Sequence, residues 1–137
     1  SLLVGGGGCH VMNGDTYLHY DPAALEACVR EADVPVAMLL AEVADVSRYG
    51  AVRLNGSRVE AFSEKGACGS GLINAGCYFF SDAALEQLRA LSVPFALEAD
   101  FLVPLAVKGG LNAMAGAEHF IDIGIPEDYA RAERVIP

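Results

Sequence analysis

Apolar positions along this 137-residue chain fall into runs separated by turn-forming residues, and these runs predict the secondary structure. The run 34–43 is nearly all apolar and rich in Val, Met and Leu, which is typical of a strand buried on both faces. The run 72–80 predicts a second buried strand. Asp21 and Pro22 predict a helix start before the first run, with Asp as N-cap and Pro at the first helical position. A helix before a buried strand indicates an α/β sheet.

A hairpin is the strongest local prediction. The stretches 49–54 and 58–62 flank Asn55-Gly56, a pair that tolerates the positive φ of a two-residue turn. This part of the sheet is therefore expected to be antiparallel. The remaining predicted elements are helices from Ser81 or Asp82 to Leu91, from about Leu97 to Gly109-Gly110 and from Pro126 to about Val135, and strands at 111–114 and 119–123.

Composition and charge narrow the class of protein. The chain has 18 acidic and 9 basic residues and a net charge of -9, so it lacks the basic surface that binds nucleic acid, and we expect no nucleic-acid partner. Its four cysteines show no C-x-x-C spacing, which favours free thiols in a reducing compartment. No apolar stretch reaches the roughly 20 residues of a membrane span, and the beginning lacks a basic leader. We therefore expect a cytoplasmic protein with no membrane contact.

The chain divides into a glycine-rich start, residues 1–10, and one α/β domain, residues 11–137. Four consecutive glycines follow the first four residues without a Lys-Ser or Lys-Thr pair after them, so they do not form a known phosphate loop. They are interpreted as a loop, a truncated start or a scar of cloning. The domain contains no internal repeat and no linker.

Two carboxylates stand out by position. Asp15 closes the stretch "HVMNGDT" after a short apolar run, and Asp122 lies in the predicted strand 119–123 between two isoleucines. Ligands of open α/β sheets bind outside the carboxyl ends of strands, so both side chains are expected to face one site, where they would suit Mg²⁺. Taken alone, Asp15 is more typical of a turn, and Asp122 of the approach to a helix or of its cap, than either is of a metal site.

Three further polar positions are candidates for ligand contact. Lys65 follows Glu64 at the end of the hairpin, where the lysine could reach a phosphate and the glutamate a sugar hydroxyl. Without further observations, a solvated charged pair is the more common explanation of such neighbours. Asn74 lies inside an apolar strand, where a buried amide needs partners. Gly76 would let a ligand or another part of the backbone come close to that strand.

Six segments in order resemble the sugar-nucleotidyltransferase family, and most of all its mannose-1-phosphate and heptose-1-phosphate guanylyltransferase branch. The segments are "VMNGD", "VSRYGAV", "AFSEKG", "LINAGCYFF", "FALEADFLVPLA" and "FIDIGIPEDYARA". The resemblance runs from about Val11 to Arg134. It implies a partial Rossmann-like, glycosyltransferase-A-like sheet that lacks the N-terminal βα units, and the transfer of a nucleotidyl group, with GTP expected as donor, to a sugar 1-phosphate.

The resemblance also implies roles for individual residues. Asp15 and Asp122 fall on the two metal aspartates, which would hold Mg²⁺. Lys65 falls on the lysine that contacts the sugar phosphate, and Glu64 and Asn74 on sugar-binding residues. The catalytic set is then Asp15, Lys65 and Asp122, and the substrate-binding set is Asn13, Gly14, Tyr49, Gly50, Glu64, Lys65, Asn74 and Gly76.

The sequence also departs from the family pattern, and the departures change what is expected of this chain. The phosphate loop G-G-x-G-T-R-L is missing from the 137 residues, so we expect this chain alone to be inactive and to form a homo-oligomer or pair with another chain. The alternative is a truncated, non-catalytic protein that binds a sugar phosphate or a partner. Ile125 stands where the family usually has Thr, so the helix opened by Pro126 is expected to lack its cap.

Overall fold

The computed structural model of the protein describes residues 7–63 and 65–136. Its strands are β1 (Cys9–Met12), β2 (Thr16–His19), β3 (Val36–Val43), β4 (Val52–Asn55), β5 (Arg58–Phe62), β6 (Gly71–Phe80), β7 (Leu111–Ala115) and β8 (Glu118–Asp122). Its helices are α1 (Pro22–Ala32), α2 (Asp82–Arg89), α3 (Val103–Val107), which continues a π-helical segment (Leu97–Leu102), and α4 (Pro126–Val135).

The strands form a mixed six-stranded sheet and a separate antiparallel ribbon. The large sheet has the order β1-β6-β3-β7-β5-β4, and β2 pairs with β8 in the ribbon. Strands β3 and β7 are parallel, whereas the other pairings are antiparallel. The prediction of an α/β fold with a mixed sheet and an antiparallel hairpin is therefore confirmed.

Strand β3 lies at the centre of the core because both of its faces are covered. Met38 and Leu40 belong to one apolar cluster, with Phe80 and the residues of the π-helical segment and α3. Leu39 belongs to the opposite cluster, which includes Leu25 of α1. The continuous apolar run of the sequence thus reflects burial on two faces, as predicted.

Side-chain caps begin the first two helices at the predicted places. The carboxylate of Asp21 accepts a hydrogen bond from the Ala23 amide at 2.9 Å, and Pro22 begins α1. The hydroxyl of Ser81 accepts from the Ala84 amide, so Ser81 and not Asp82 is the N-cap of α2. These starts were predictable because capping depends on neighbouring residues alone.

Three local expectations need correction. The hairpin turn lies at Gly56 and Ser57, one residue later than predicted, because Asn55 still pairs with Arg58. The helix predicted from Leu97 begins as a π-helical segment, and α3 ends at Val107. Strand β2, Thr16–His19, has no counterpart in the sequence prediction.

Two chain-wide expectations can be compared with the structure. All four cysteines are free, as expected, and Cys77 is buried. Burial raises the pKa of the Cys77 thiol. Among the described residues, no helix has the length and apolar character that crossing a membrane requires.

Candidate active site

An open cleft with a volume of about 440 Å³ gathers most of the predicted site residues. Seven predicted residues line it, namely Asn13, Asp15, Tyr49, Lys65, Asn74, Gly76 and Asp122. Further lining comes from residues that the sequence analysis did not place in a site, namely Thr16, Arg48, Ala75, Glu98, Phe120, Gly124 and Ile125. Polar groups therefore converge on the cleft from strands and loops that are far apart in the chain.

The turn between β1 and β2 brings Asp15 beside the end of β8. The carbonyl of Asp15 accepts a hydrogen bond from the Ile123 amide at 2.9 Å. Its neighbour Thr16 pairs with Asp122 in the ribbon. The two aspartates were expected to share a site because they end strands of one sheet, and that reason is wrong: β1 and β8 belong to different sheets. It is the β2–β8 ribbon that places Asp15 and Asp122 together.

A close contact with the following loop orients the Asp122 carboxylate. Its Oδ1 accepts a hydrogen bond from the Gly124 amide at 2.8 Å. A Cβ atom at Gly124 would lie 2.9 Å from the same oxygen, so a side chain there would displace the carboxylate. This hydrogen bond occupies only one of the two carboxylate oxygens.

Asn13 and Gly76 join the turn after β1 to strand β6. The Asn13 amide donates to the Gly76 carbonyl at 2.8 Å. Gly76 has a φ of +71°, and a Cβ atom there would lie 2.6 Å from the Asn13 Nδ2 atom. The close approach predicted at Gly76 is thus made by Asn13, and it requires glycine for both space and backbone conformation.

The Asn74 side chain is the centre of a hydrogen-bond network on β6. Its Nδ2 atom donates to the Tyr78 hydroxyl at 2.8 Å and to the Glu98 carboxylate at 3.1 Å. Its Oδ1 atom accepts from the Gly76 amide at 2.9 Å. Burial, more than any other factor, raises the pKa of the Tyr78 hydroxyl to about 12. The partners that a half-buried amide needs are therefore protein groups.

Arg48 connects the cleft to α4. Its guanidinium donates to the Asp128 carboxylate at 2.6 Å and lies over the Tyr49 ring, 5.1 Å from the centroid. Arg131 pairs with the other oxygen of Asp128 at 3.2 Å. Asp128 is only 5% exposed, and its hydrogen bond raises the pKa of the Arg48 guanidinium. The signal for Arg48 was its place in the segment "VSRYGAV", but charge alone did not distinguish it from a solvated arginine.

Hydrogen bonds at Asp45 and Ser47 hold the loop that carries Arg48. Asp45 accepts hydrogen bonds from the Ser47 amide and hydroxyl, both at 2.9 Å, and these bonds hold the pKa of the Asp45 carboxyl below its usual range. The Ser47 carbonyl accepts from the Gly66 amide at 2.9 Å, which ties the loop to the residue after Lys65. Lys65 therefore reaches the cleft from a loop that is anchored beside Arg48.

The lining of the cleft does not include two of the predicted residues, and a third is not among the described residues. Gly14 is exposed in the turn before Asp15, and Gly50 is buried, so neither lines the cleft. The Gly50 amide donates to the Val46 carbonyl at 2.9 Å, and its φ of +81° explains the glycine. Glu64 lies outside the described residues.

The nucleotidyl transferase family model matches residues 3–137. The chain belongs to this family. Among curated relatives, the D-glycero-alpha-D-manno-heptose 1-phosphate guanylyltransferase of Aneurinibacillus thermoaerophilus is 34% identical over 90% of this chain and 54% of its own length. The enzyme of the same name from Campylobacter jejuni is 35% identical over 88% of this chain and 52% of its own length. The chain thus spans about half the length of these relatives.

Solved structures agree with this assignment. HddC from Yersinia pseudotuberculosis superposes with a TM-score of 0.79 at 34% identity, covering 98% of this chain and 58% of HddC. The same protein complexed with GMP-PN gives a TM-score of 0.77 at 36% identity, covering 95% of this chain and 56% of that one. This member of the nucleotidyl transferase family therefore shares its fold with HddC, which has been solved in complex with GMP-PN.

The oxygen donors that line the cleft suit a hard cation. Mg²⁺ takes oxygen ligands and is usually held by one or two carboxylates together with water and substrate phosphates. Asp15 and Asp122 are two carboxylates on one cleft, of the number and kind that this ion requires. In the ranges 7–63 and 65–136, no group of three or more His, Cys, Asp or Glu residues forms a metal cage. If the two aspartates hold Mg²⁺, water and substrate phosphates would complete its shell.

Proposed function

We propose that this chain carries the sugar-phosphate and metal part of a site that transfers a nucleotidyl group, from GTP as the expected donor, to a mannose- or heptose-type sugar 1-phosphate. An oxygen of the sugar phosphate forms a bond to the α-phosphorus of the donor. The bond from that phosphorus to the next phosphate breaks, and pyrophosphate leaves with its electron pair. The products are a nucleotide-sugar and pyrophosphate. The names of the guanylyltransferase relatives support this reaction class.

The observation that carries the proposal is the convergence of Asp15, Lys65 and Asp122 on one cleft. Phosphoryl-type transfer depends on positioning and on neutralising charge, with little covalent work by the protein. Lys65 would neutralise the sugar phosphate as a compact positive charge. Asp15 and Asp122 would hold Mg²⁺, which supplies charge neutralisation at the phosphate oxygens when bound.

The sugar ring would lie on the β6 side of the cleft. Asn74 and Gly76 line that side, and Tyr49 contributes a half-buried ring nearby, packed edge-on against Phe120. A flat aromatic ring beside amide and carboxylate groups suits a ligand that has both apolar faces and hydroxyl edges. Glu64 keeps its expected role as a sugar-binding residue only by resemblance.

A phosphate loop from outside these 137 residues is part of the proposal. Among the described residues, strand β1 is an outer strand of the six-stranded sheet, so its edge can accept another strand. The 137 residues contain no G-G-x-G-T-R-L loop to orient the triphosphate. Such positioning is worth about 7 to 11 kcal/mol of a reaction barrier, so we expect no turnover by the chain alone.

Pyrophosphate release tests this proposal. The purified chain with Mg²⁺, GTP and mannose or heptose 1-phosphate should release none. Addition of a polypeptide that supplies the glycine-rich loop, such as the corresponding part of a heptose 1-phosphate guanylyltransferase, should restore release. Asp15→Asn should then lower the rate about a thousandfold, since a metal contributes several kcal/mol to such reactions.

Asp33→Asn is the matched control. Asp33 is exposed and has a φ of +50°, which asparagine also tolerates, so this variant should keep full activity. Release by the chain alone, lost in Asp15→Asn, would show that the chain is catalytically complete. Binding of the sugar phosphate without release under any condition would favour the non-catalytic alternative.

A further inference from the structure

We infer that Glu98 is the side chain that accepts sugar hydroxyls in the cleft, and that Asn74 is a positioning residue that holds the Glu98 carboxylate. This inference rests on the proposed function, because it assumes that a sugar 1-phosphate occupies the cleft. It changes the role that the resemblance gives to Asn74. Nothing in the sequence pattern assigned a role to Glu98.

One hydrogen-bond donor and one acceptor fix the orientation of the Asn74 amide. The Gly76 N–H can only donate, so the Asn74 atom 2.9 Å from it must be the oxygen. The Glu98 carboxylate accepts, so the Asn74 atom 3.1 Å from it must be the nitrogen. A flipped amide would place two donors together and two acceptors together, and both contacts would be lost.

The amide therefore has no donor left for a ligand. The Asn74 Nδ2 atom carries two protons, and its two partners are the Tyr78 hydroxyl at 2.8 Å and the Glu98 carboxylate. The Tyr78 side is inaccessible to a ligand, because Tyr78 is only 3% exposed. A sugar could reach only the remaining lone pair of the Asn74 oxygen, which is a neutral and therefore weaker acceptor than a carboxylate.

Glu98 has the capacity that Asn74 lacks. Its contact with Asn74 uses Oε2, so Oε1 and the second lone pair of Oε2 remain to accept hydroxyl protons. Glu98 is exposed and lines the same cleft as Lys65 and Asp122. A carboxylate can accept from two neighbouring hydroxyls of a sugar ring, and each such bond is charge-assisted.

The segment that carries Glu98 is anchored in the core. Glu98 is the second residue of the π-helical segment, whose Phe101 and Leu102 are 6% and 0% exposed. The segment begins with a hydrogen bond from the Ala96 amide to the Asp100 carboxylate at 2.7 Å. Single π-helical turns inside helices occur often at functional sites. Here the turn presents Glu98 to the cleft from a fixed support.

A carboxylate at the position of Glu98 determines which sugar 1-phosphates the cleft prefers. It favours a neutral sugar 1-phosphate that has free hydroxyls to donate. It disfavours a sugar that carries a second negative group, such as a uronic acid, because like charges would be brought together in the cleft. The single phosphate of the substrate would lie instead toward Lys65.

Calorimetric titration of the 137-residue chain tests the inference with two probes. Mannose 1-phosphate presents both phosphate and hydroxyls, whereas cyclohexyl phosphate presents a six-membered ring and a phosphate without hydroxyls. Glu98→Gln should raise the Kd for mannose 1-phosphate about tenfold and leave that for cyclohexyl phosphate within about twofold. Asn74→Ala should likewise reduce the preference for mannose 1-phosphate over cyclohexyl phosphate. Glu133→Gln, an exposed change on α4, should alter neither Kd.

Each other result overturns a defined part of the argument. Unchanged mannose 1-phosphate binding in Glu98→Gln would overturn the inference, and a loss seen only in Asn74→Ala would return the sugar contact to Asn74. Equal loss for both probes would show a general charge effect and would also overturn it. Failure of the wild-type chain to bind either probe would overturn the proposed function itself. Glu98 is exposed, so thermal unfolding should confirm that Glu98→Gln stays folded.

Discussion

The two sides of the cleft are held in opposite ways. The carboxylate side, Asp15 and Asp122, is positioned by backbone contacts: the β2–β8 ribbon and the bond from the Ile123 amide to the Asp15 carbonyl. The amide side, Asn74 and Glu98, is positioned by hydrogen bonds between side chains and to the Gly76 amide. Side chains on the first side therefore keep most of their bonding capacity for a ligand, while on the second only Glu98 does.

This difference predicts how substitutions should behave. A change of a carboxylate on the first side should affect ligand binding and turnover more than stability, because the backbone contacts remain. A change within the amide side should affect the fold as well, because the side chains are the scaffold. Four measurements examine this contrast, beginning with the largest expected effect.

Gly76→Ala should lower the free energy of unfolding by about 3 kcal/mol. Alanine at a φ of +71° is strained, and its Cβ atom would lie 2.6 Å from the Asn13 side chain. Urea unfolding at neutral pH measures this loss. Gly14→Ala is the matched control on the turn before Asp15, since its Cβ atom would meet nothing within 4 Å, and its effect should stay below about 1 kcal/mol. Similar losses in both variants would remove the contrast between the two sides.

Tyr78 should make the amide side sensitive to high pH. Burial raises the pKa of Tyr78 from its ordinary value of 10.0 to about 12, so the folded state keeps the hydroxyl protonated after the unfolded chain has ionised. The stability from this group is therefore complete below about pH 10 and is lost as the pH rises toward 12. The loss should reach about 2 kcal/mol.

Tyr78→Phe provides the measurement. Near pH 8 the wild type should be more stable than the variant by about 1 kcal/mol, because Tyr78 accepts a hydrogen bond from Asn74. Between about pH 10 and 12 the free energy of unfolding of the wild type should fall faster than that of the variant. Parallel curves would mean that the hydroxyl near Asn74 is hydrated in the folded state.

Elements that depend on adjacent residues were easier to predict from the sequence than the strand pairing that forms the carboxylate side. The start of α1 at Asp21 and Pro22 depends on adjacent residues, and the burial of β3 depends on its own composition, so both were predictable. Strand β2 has only four residues and pairs with β8, far along the chain, so no local pattern revealed it. Assigning Asp15 and Asp122 to one metal site depended on the resemblance of the six segments to the family.

On the amide side, the sequence indicated that Asn74 makes hydrogen bonds but did not identify the groups that it bonds to. Asn74 in an apolar strand indicated that hydrogen-bond partners were required. Which partners are used depends on the π-helical segment, which positions Glu98 beside β6. A helix with ordinary periodicity was expected there, and periodicity cannot show the extra residue of a π turn. The contribution of Arg48 was missed for a related reason, since its partner Asp128 lies in α4.

Lys65→Ala should weaken the binding of mannose 1-phosphate about tenfold, because a charged contact to phosphate is lost from the cleft. Titration calorimetry measures the Kd. Arg58 lies on the same hairpin but is a poor control, because it donates to the Gly109 carbonyl at 2.7 Å and supports the fold. Lys108→Ala is better matched, since Lys108 is exposed and does not line this cleft. Equal weakening by both variants would indicate attraction by general charge and not a phosphate site.

Ile125→Thr should give the smallest effect, a gain of about 0.5 kcal/mol in the free energy of unfolding. Ile125 is the N-cap of α4, its φ of −129° and ψ of 151° suit threonine, and it makes no side-chain cap bond. A threonine hydroxyl could accept from an amide of the first turn, although the lost apolar contact offsets part of the gain. Ile125→Val removes a methylene without adding an acceptor, so urea unfolding of the two variants isolates the cap. Helix α4 carries Asp128, which accepts a hydrogen bond from Arg48. A better-capped α4 should therefore stabilise the carboxylate side of the cleft and leave the Asn74–Glu98 contact unchanged. If threonine and valine give the same stability, the α4 amides already have adequate partners, and the departure from the family residue at this position has no cost to the fold.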